Sequence, residues 1–383
     1  MKILFTGGGT GGHILPIVAI AREIRKISGS KDVEFFYLGP QDDFGTMFLS
    51  QEGIKVSKVL AGKLRRYGGV KAILQNIVDL FFFVPFGIMQ AFWKLFVLAP
   101  DVIVSKGGYG ALPATIAGWL LRIPIFLHES DSVAGLANRI GATFALKLFT
   151  SFPRTKNLSL EKAMAIGNPI RKEILAGSKA EAAEIFKLKG GYSTVPSKGD
   201  KPVLLVLGGS QGAQRINDML LLALNDALDV CEIIHQTGEK NFDQVVAEAK
   251  VVMKSPKDAL YHPRPFLPEN ELKHAYAVSD FVVSRAGSGI IFEVAALGKP
   301  SILIPLPESA QGHQLENAYE YARTGAAIVL EESNLTPHFF LEKLRYLLHN
   351  PQELQKMSQA ALSFAKPAAA KTLAQYILEY LKS

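Results

Sequence analysis

The stretch MKILFTGGGTGGHILPIVAIAREI (residues 1–24) decides the fold class. Residues 2–6 are a short, mostly apolar run of strand length, and residues 14–26 repeat apolar positions at helical spacing, so the segment reads strand, turn, helix. Five glycines, Gly7, Gly8, Gly9, Gly11 and Gly12, fill the junction, and His13 follows directly. In open α/β sheets, ligands bind beyond the carboxyl ends of the strands, where such turns gather. Glycine permits positive φ and lets a ligand approach the main chain. The helix that follows offers unpaired N–H groups and the positive end of its dipole, which favour an anion such as a diphosphate.

Outward from this segment the same alternation continues. KILFTGG, VEFFYLG, VIVSKGG, IPIFLHE and KLFTSF in the first part, and PVLLVLGGS, CEIIHQTG, DFVVSRAG and SILIPLP in the second, read as strands separated by helical stretches. That pattern predicts an α/β fold of parallel sheets with helices on both faces. The two parts also resemble each other. VIVSKGGYGALPATIAGWLLRIPIFLHES (102–130) and FVVSRAGSGIIFEVAALGKPSILIPLPES (281–309) both run strand, Ser, basic residue, glycine loop, helix, Pro, strand, Glu-Ser. A two-copy similarity points to twin Rossmann-like domains and not to a solenoid. At 383 residues the chain exceeds one comfortable core, given roughly 100–200 residues per domain. The expected division is 1–166 and 167–354, with a hinge at GNPIRKEIL (167–175) and a hydrophilic loop at 188–202. A helical C-terminal stretch from about 355 to 383 is expected to pack back on the first domain.

A formal net charge of +7 suits a partner carrying negative charge, whether nucleotide, nucleic acid or anionic lipid, and charge alone does not choose among them. Apolar residues at 48% and charged residues at 20% are globular proportions. The single cysteine, Cys231, excludes an internal disulfide and fits a reducing compartment. No signal-peptide pattern accompanies the first strand, so the chain is expected to stay in the cytoplasm. The longest uncharged apolar run, LFFFVPFGIMQAFW (80–93), holds a proline and a glutamine in 14 residues. It is short of the roughly 20 residues a spanning helix needs, so no membrane span is expected.

Several chemistries are weighed on motif grounds. Gly7, Gly9 and Gly12 match G-x-G-x-x-G, but a dinucleotide site also wants an acidic residue ending the second strand, which here closes YLGPQDD. Walker A, C-x-x-C and paired histidines at i, i+4 are all missing, and no D-x-D occurs, so no divalent cation is invoked as the electrophile, although Mg²⁺ can assist. His13 titrates near neutrality and can take a proton from a hydroxyl, or it can simply bond to main chain at the helix start.

TGGGTGGH (6–13), KGGYG (106–110), HES (128–130), GNPIR (167–171), LGGSQGAQ (207–214), RAGSGIIFE (285–293) and HQLEN (313–317) occur in this order over nearly the whole chain. Together they make the chain similar to the MurG family of glycosyltransferases. The resemblance implies a GT-B fold: two Rossmann-like domains with parallel sheets facing across a cleft, the first meeting acceptor and membrane, the second holding UDP-GlcNAc. It implies inverting transfer of N-acetylglucosamine from UDP-GlcNAc to the 4-hydroxyl of MurNAc-pentapeptide on undecaprenyl pyrophosphate, converting lipid I to lipid II in peptidoglycan synthesis. It further implies peripheral attachment to the anionic cytoplasmic face of the cell membrane, no nucleic-acid partner and no required cofactor. Another GT-B transferase, a UDP-GlcNAc 2-epimerase and a catalytically idle nucleotide-binding scaffold stay open as alternatives, with a nicotinamide oxidoreductase behind them.

The family's site residues carry over by motif. Thr10, Gly11 and Gly12 fall in the first glycine loop, and Ser210, Leu267, Ser288, Gly289, Ile290, Ile291 and Phe292 belong to the donor side. Glu293 matches the carboxylate that binds the ribose hydroxyls; Gln314 and Asn317 match the readers of the sugar hydroxyls, with His313 beside them. Arg171 matches the hinge arginine, a cation able to neutralise phosphate. Asp131 stands where the family carries asparagine, and an ionised carboxylate only accepts hydrogen bonds, so it would meet hydroxyls alone. An α-linked donor and a β-1,4 product require one in-line displacement, for which His13 is the expected base and Glu129 its orienting partner or rival. No residue is assigned to a metal.

Between Lys63 and Pro100, Ile73, Ile77, Leu80, Phe81 and Val84 share a helical face, Phe82 joins them as a membrane-association candidate, and Lys63, Arg65, Arg66 and Lys71 sit just before. A basic cluster beside an apolar face is how a soluble domain settles on an anionic membrane, while core packing would use the same aromatics.

Overall fold

The computed structural model describes the chain except residues 9–10, 30–32, 64–68, 160–162, 190–200, 210–212, 255 and 383, together with the side chains of 44, 70 and 71. Thr10, Ser210, Arg65, Arg66, the side chain of Lys71 and most of the 188–202 loop therefore lie outside the described residues. The chain divides into two compact units, Met1–Arg171 with Lys366–Ser383, and Lys172–Ala365.

The first unit holds seven parallel strands: β1 (Lys2–Thr6), β2 (Glu34–Gly39), β3 (Lys55–Lys58), β4 (Val102–Ser105), β5 (Ile125–Glu129), β6 (Lys147–Thr150) and β7 (Ala163–Ala165). Their order is β3-β2-β1-β4-β5-β6-β7, with Leu4 opposite Phe36 on one side and Ile103 on the other. Alternate residues enter opposite layers, as the two-residue period of a strand requires. Ile3, Phe5, Val102 and Val104 join one core with the helix Gly11–Ser28, and Leu4 and Ile103 join the other.

The second unit repeats the plan with six parallel strands: β8 (Val203–Leu207), β9 (Glu232–Gln236), β10 (Tyr261–Arg264), β11 (Phe281–Ser284), β12 (Ser301–Leu303) and β13 (Ala327–Val329), in the order β10-β9-β8-β11-β12-β13. In each unit the order reverses beside the first strand, between β1 and β4 and between β8 and β11. Loops leaving such a pair of strands diverge and open a crevice at their carboxyl ends.

Four strands go beyond the sequence reading: β3 (KVSK), β7 (AMA), β10 (YHPR) and β13 (AIV). All four lie at sheet edges, where strands are short, lack a continuous apolar run and tolerate a proline such as Pro263. The C-terminal stretch is shared between the units. The helix Pro351–Phe364 stays in the second, with Phe364 stacked 5.2 Å from Phe292. After Pro367 the helix Ala369–Tyr380 inserts Leu373, Ala374, Ile377 and Leu378 into the β1 core.

The apolar helix is longer than the uncharged run alone indicates, although length by itself does not make it a span. The 80–93 run is part of a continuous helix, Ala72–Leu98, which at 27 residues is long and apolar enough to cross a membrane by length and composition. Counting an unbroken apolar run stopped at Asp79 and Lys94, and the proline made a break look natural. Instead, a π segment spans Asp79–Phe83, and Val84 N–H donates to Asp79 O, which lets Pro85 pass without the N–H it lacks. One stripe, Gly87, Ala91 and Leu95, is buried and the helix packs on Leu112–Leu120. A Cβ on Gly87 would come within 2.0 Å of Leu60 O, so only glycine allows this approach. The opposite face is bare. Ile73, Ile77, Leu80, Phe81, Phe82, Phe86, Trp93 and Phe96 are all exposed, Phe81 at 67%. Core packing does not explain them.

Candidate active site

The carboxyl ends of β1 and β4 are tied together by main-chain and side-chain hydrogen bonds to backbone carbonyls. Lys106 N donates to Thr6 O at 2.8 Å, Thr6 Oγ1 to Leu38 O at 2.6 Å, and Tyr37 Oη to Gly7 O at 3.0 Å. Gly107 and Gly108 have φ of 78° and 79°, the left-handed region glycine fills without strain. His13, half-buried in the first turn of its helix, is clasped between two of these glycines. A Cβ on Gly8 would stand 3.0 Å from its Nδ1, and one on Gly108 would stand 3.1 Å from its Nε2. The bare main chain at this junction therefore makes room for an imidazole.

Glu129, at the end of β5, is 3% exposed, and its carboxylate accepts from Asp131 N at 2.9 Å, Gly135 N at 3.2 Å and Asn138 Nδ2 at 2.7 Å. Burial, with the Asp131 charge beside it, pushes this carboxyl up to about 7, against the three donors that favour the ionised form. Asn138 in turn lies under the second glycine loop, since a Cβ on Gly107 would meet its Oδ1 at 2.1 Å. The main chain of Asp131 is thus held by Glu129. Arg171 is buried at the last residue of this unit's first segment.

In the second unit, Gln236 at the end of β9 ties two loops together: its Nε2 donates to Gly209 O at 2.9 Å and its Oε1 accepts from Leu267 N at 3.2 Å. After β11, Gly287 leads into the helix Ser288–Ala296, and a Cβ on Gly209, Gly287 or Gly289 would meet nothing within 4 Å. The main chain at these glycines is therefore uncovered on the side a Cβ would occupy, and the first turn of a helix is where N–H groups lack intrahelical partners. Glu293, one turn further and buried, accepts from Tyr276 Oη at 3.0 Å. Asn317 Nδ2 donates to Ala286 O at 3.3 Å, and Gln314 Oε1 accepts from Leu306 N at 3.0 Å. His313 Nδ1 lies 2.7 Å from Ala310 O. Arg285 is engaged with Ile304 O and pairs with Glu332.

Comparison with known proteins adds to this geometry. Residues 3–150 match the glycosyltransferase family 28 N-terminal domain and residues 203–373 the glycosyltransferase family 28 C-terminal domain. A Bacillus cereus protein named UDP-N-acetylglucosamine–N-acetylmuramyl-(pentapeptide) pyrophosphoryl-undecaprenol N-acetylglucosamine transferase 2 is 35% identical over 99% of both chains. The chain belongs to glycosyltransferase family 28. A Clostridium botulinum member with the corresponding transferase name is 34% identical over 100% of this chain and 99% of its own. Among solved structures, Acinetobacter baumannii MurG superposes with a TM-score of 0.72 at 24% identity, covering 99% of each chain. UDP-GlcNAc 2-epimerase from Neisseria meningitidis, bound to UDP-GlcNAc, superposes at 0.66 and 14% identity, over 99% of this chain and all of its own. Both likenesses show the GT-B fold, and family membership makes the chain a glycosyltransferase.

Set against the family, the described site residues sort by environment. His13, Gly11, Gly12, Glu129 and Asp131 gather at the strand ends of the first unit; Ser288, Gly289, Ile290, Glu293, His313, Gln314 and Asn317 belong to the strand-end loops and helices of the second. Ile291, Phe292 and Leu267 have their side chains in the core, so only their main chain can meet a ligand. Sequence reasoning gave no role to Lys106, Asn138, Asn168, Gln236 or Tyr276 in these sites. Lys106 and Asn168 had a signal, lying inside KGGYG and GNPIR; the others had none. Among the described residues no group of three or more His, Cys, Asp or Glu side chains is gathered as metal ligands would be.

Proposed function

We propose that this glycosyltransferase moves N-acetylglucosamine from UDP-GlcNAc to the 4-hydroxyl of a MurNAc-pentapeptide carried on undecaprenyl diphosphate. The observation that carries the reading is the end-to-end similarity, 35% over 99% of both chains, to a relative named for that transfer. The geometry suits the chemistry. The second unit would take the nucleotide, its diphosphate on the amides around Gly209 and the Ser288–Ala296 helix, its ribose on Glu293. Gln314 and Asn317 would face the sugar, Gln314 with its Nε2 left for a hydroxyl. The first unit would take the acceptor, with His13 drawing the proton from the attacking hydroxyl. As the anomeric carbon–oxygen bond breaks, charge grows on UDP, and oriented N–H groups stabilise it. With this source of positive potential no resident metal is invoked, and transfer should persist in excess EDTA.

Glu129 supports the loop from 131 to 138 and is assigned as a positioning residue, leaving His13 as the base. Asp131 and Arg171 are assigned to donor contact. The exposed face of the Ala72–Leu98 helix would lie on the membrane that holds the acceptor's polyprenyl chain, as a peripheral contact, because the opposite stripe is docked on the protein. The deciding assay offers UDP-GlcNAc with a lipid I analogue and scores UDP release. Release that depends on the acceptor is expected; conversion of UDP-GlcNAc with no acceptor present would mean an epimerase.

A further inference from the structure

Below the His13 clasp lies a buried cation that the mechanism above does not use. Lys106 is 1% exposed, and its Nζ lies 2.5 Å from His128 Nδ1, 2.8 Å from Ser130 Oγ and 3.3 Å from Asn168 Oδ1. An ammonium has three protons, and three acceptors surround it. None of them is a carboxylate. Burial draws the amine down to about 7, opposed by the charges of Glu129 and Asp131. Replacing such a group with an apolar chain of similar length would relieve that desolvation, so its presence asks for a reason.

The connections supply one. The main chain of Lys106 is bonded to Thr6, and the next two residues are the left-handed glycines, the second of which borders the His13 ring. At the other end, His128 Nε2 lies 2.9 Å from Gly167 O, so this nitrogen carries the proton and Nδ1 accepts from Lys106. Gly167 and Asn168 stand just before Arg171, where the chain leaves the first unit, and a Cβ on Gly167 would meet Lys366, where the chain returns, at 2.3 Å. A single side chain thus links the root of the catalytic loop, the end of β5 and the segment at which the chain passes to the second unit.

We propose that Lys106 is a positioning residue for the transfer reaction: through His128, Ser130 and Asn168 it fixes the Gly107–Gly108 loop, and with it the His13 imidazole, relative to the segment 167–168. This rests on the reading of His13 as base. Lys106 is too buried to touch either substrate, so its effect passes through the clasp.

The test is a double-mutant cycle on the full-length protein, with acceptor-dependent UDP release as readout. Lys106→Met keeps the stem and removes the donors. It is expected to lower kcat by roughly thirtyfold or more, in the range a displaced catalytic group costs, while KM for UDP-GlcNAc stays within about threefold. In a His13→Ala background the same substitution should cost less than about threefold, because the residue it positions is gone. Asn168→Ala, a milder removal of one acceptor, should show the same non-additivity and serves if K106M does not fold. Equal losses in both backgrounds would overturn the proposal, as would a kcat for K106M within twofold of wild type. Should wild type itself show no acceptor-dependent release, the function and not the role of Lys106 would be at fault.

Discussion

A histidine between two glycine loops is a base only if its removal costs turnover and leaves binding alone. His13→Ala should reduce kcat by roughly 10²- to 10⁴-fold, the usual share of a general base. UDP-GlcNAc affinity, measured by calorimetry, should be unchanged; turnover surviving within a few-fold would remove His13 from the role. Glu129 is expected to behave differently. Glu129→Gln keeps the shape but sets an amide against N–H donors, so it should cost about 1–3 kcal/mol of stability. The acid limb of the pH–rate profile should stay where it is in wild type, and its displacement in E129Q would return the base to Glu129. The carboxyl also leaves a trace in stability. Its folded-state pKa is raised from 4.5 to about 7, so the fold prefers the protonated form, and that contribution is present below 4.5 and lost as pH rises through 7. Urea melts across this window should slope less in E129Q. At this scale His13 and Glu129 could be singled out because each sits inside a contiguous motif. The members of the Lys106 cluster lie inside quoted motifs too, KGGYG, HES and GNPIR, but their contact was not legible, because the partners lie 22, 24 and 62 residues away and meet only when three strand ends converge.

Secondary-structure elements were legible where burial dictates composition. β1, β4, β5, β8 and β11 are buried and read as mostly apolar runs, and β9 (EIIHQ) is buried as well but carries polar residues at both ends. The edge strands carry no such requirement and left no trace. The full length of the Ala72–Leu98 helix was not legible for a related reason: it depends on a π turn that absorbs Pro85, a matter of hydrogen-bond register and not of hydropathy. Its docked stripe and bare face now make a sharper claim than composition did. A soluble protein rarely leaves so many large apolar side chains in one patch without a surface to meet them. Phe81→Ser with Phe82→Ser removes two residues that touch nothing essential to the fold, being 67% and 58% exposed. Each buried Phe is worth about 1.5–3 kcal/mol, so even partial insertion predicts at least tenfold weaker binding to anionic vesicles in a sedimentation assay. Turnover of a water-soluble acceptor should be untouched; unchanged vesicle binding would assign the patch to something other than lipid.

The whole chain is two copies of one plan, and their shared strand order puts a glycine-rich crevice at the same place in each, beside β1 and β4 and beside β8 and β11. Repetition was visible in the sequence because each copy needs the same strand, glycine turn and helix to make that crevice. The path of the chain was less visible. The first unit is discontinuous, and its core is completed by the helix Ala369–Tyr380, which packs on Gly11–Ser28, the helix that begins at the His13 clasp. A core that includes Leu373, Ala374, Ile377 and Leu378 is not complete without that helix. Ile377 is fully buried there, and Ile377→Ala should cost about 2–5 kcal/mol, the range for truncating a core aliphatic side chain. The loss should be local. Hydrogen exchange should speed up at the amides of β1, β4 and β5, while β8 and β11 keep their protection, because their core is built from other residues. UDP should still bind I377A within about threefold of wild type, even as transfer falls. If β8 and β11 lost protection equally, or UDP binding failed along with transfer, the two crevices would not rest on separate cores.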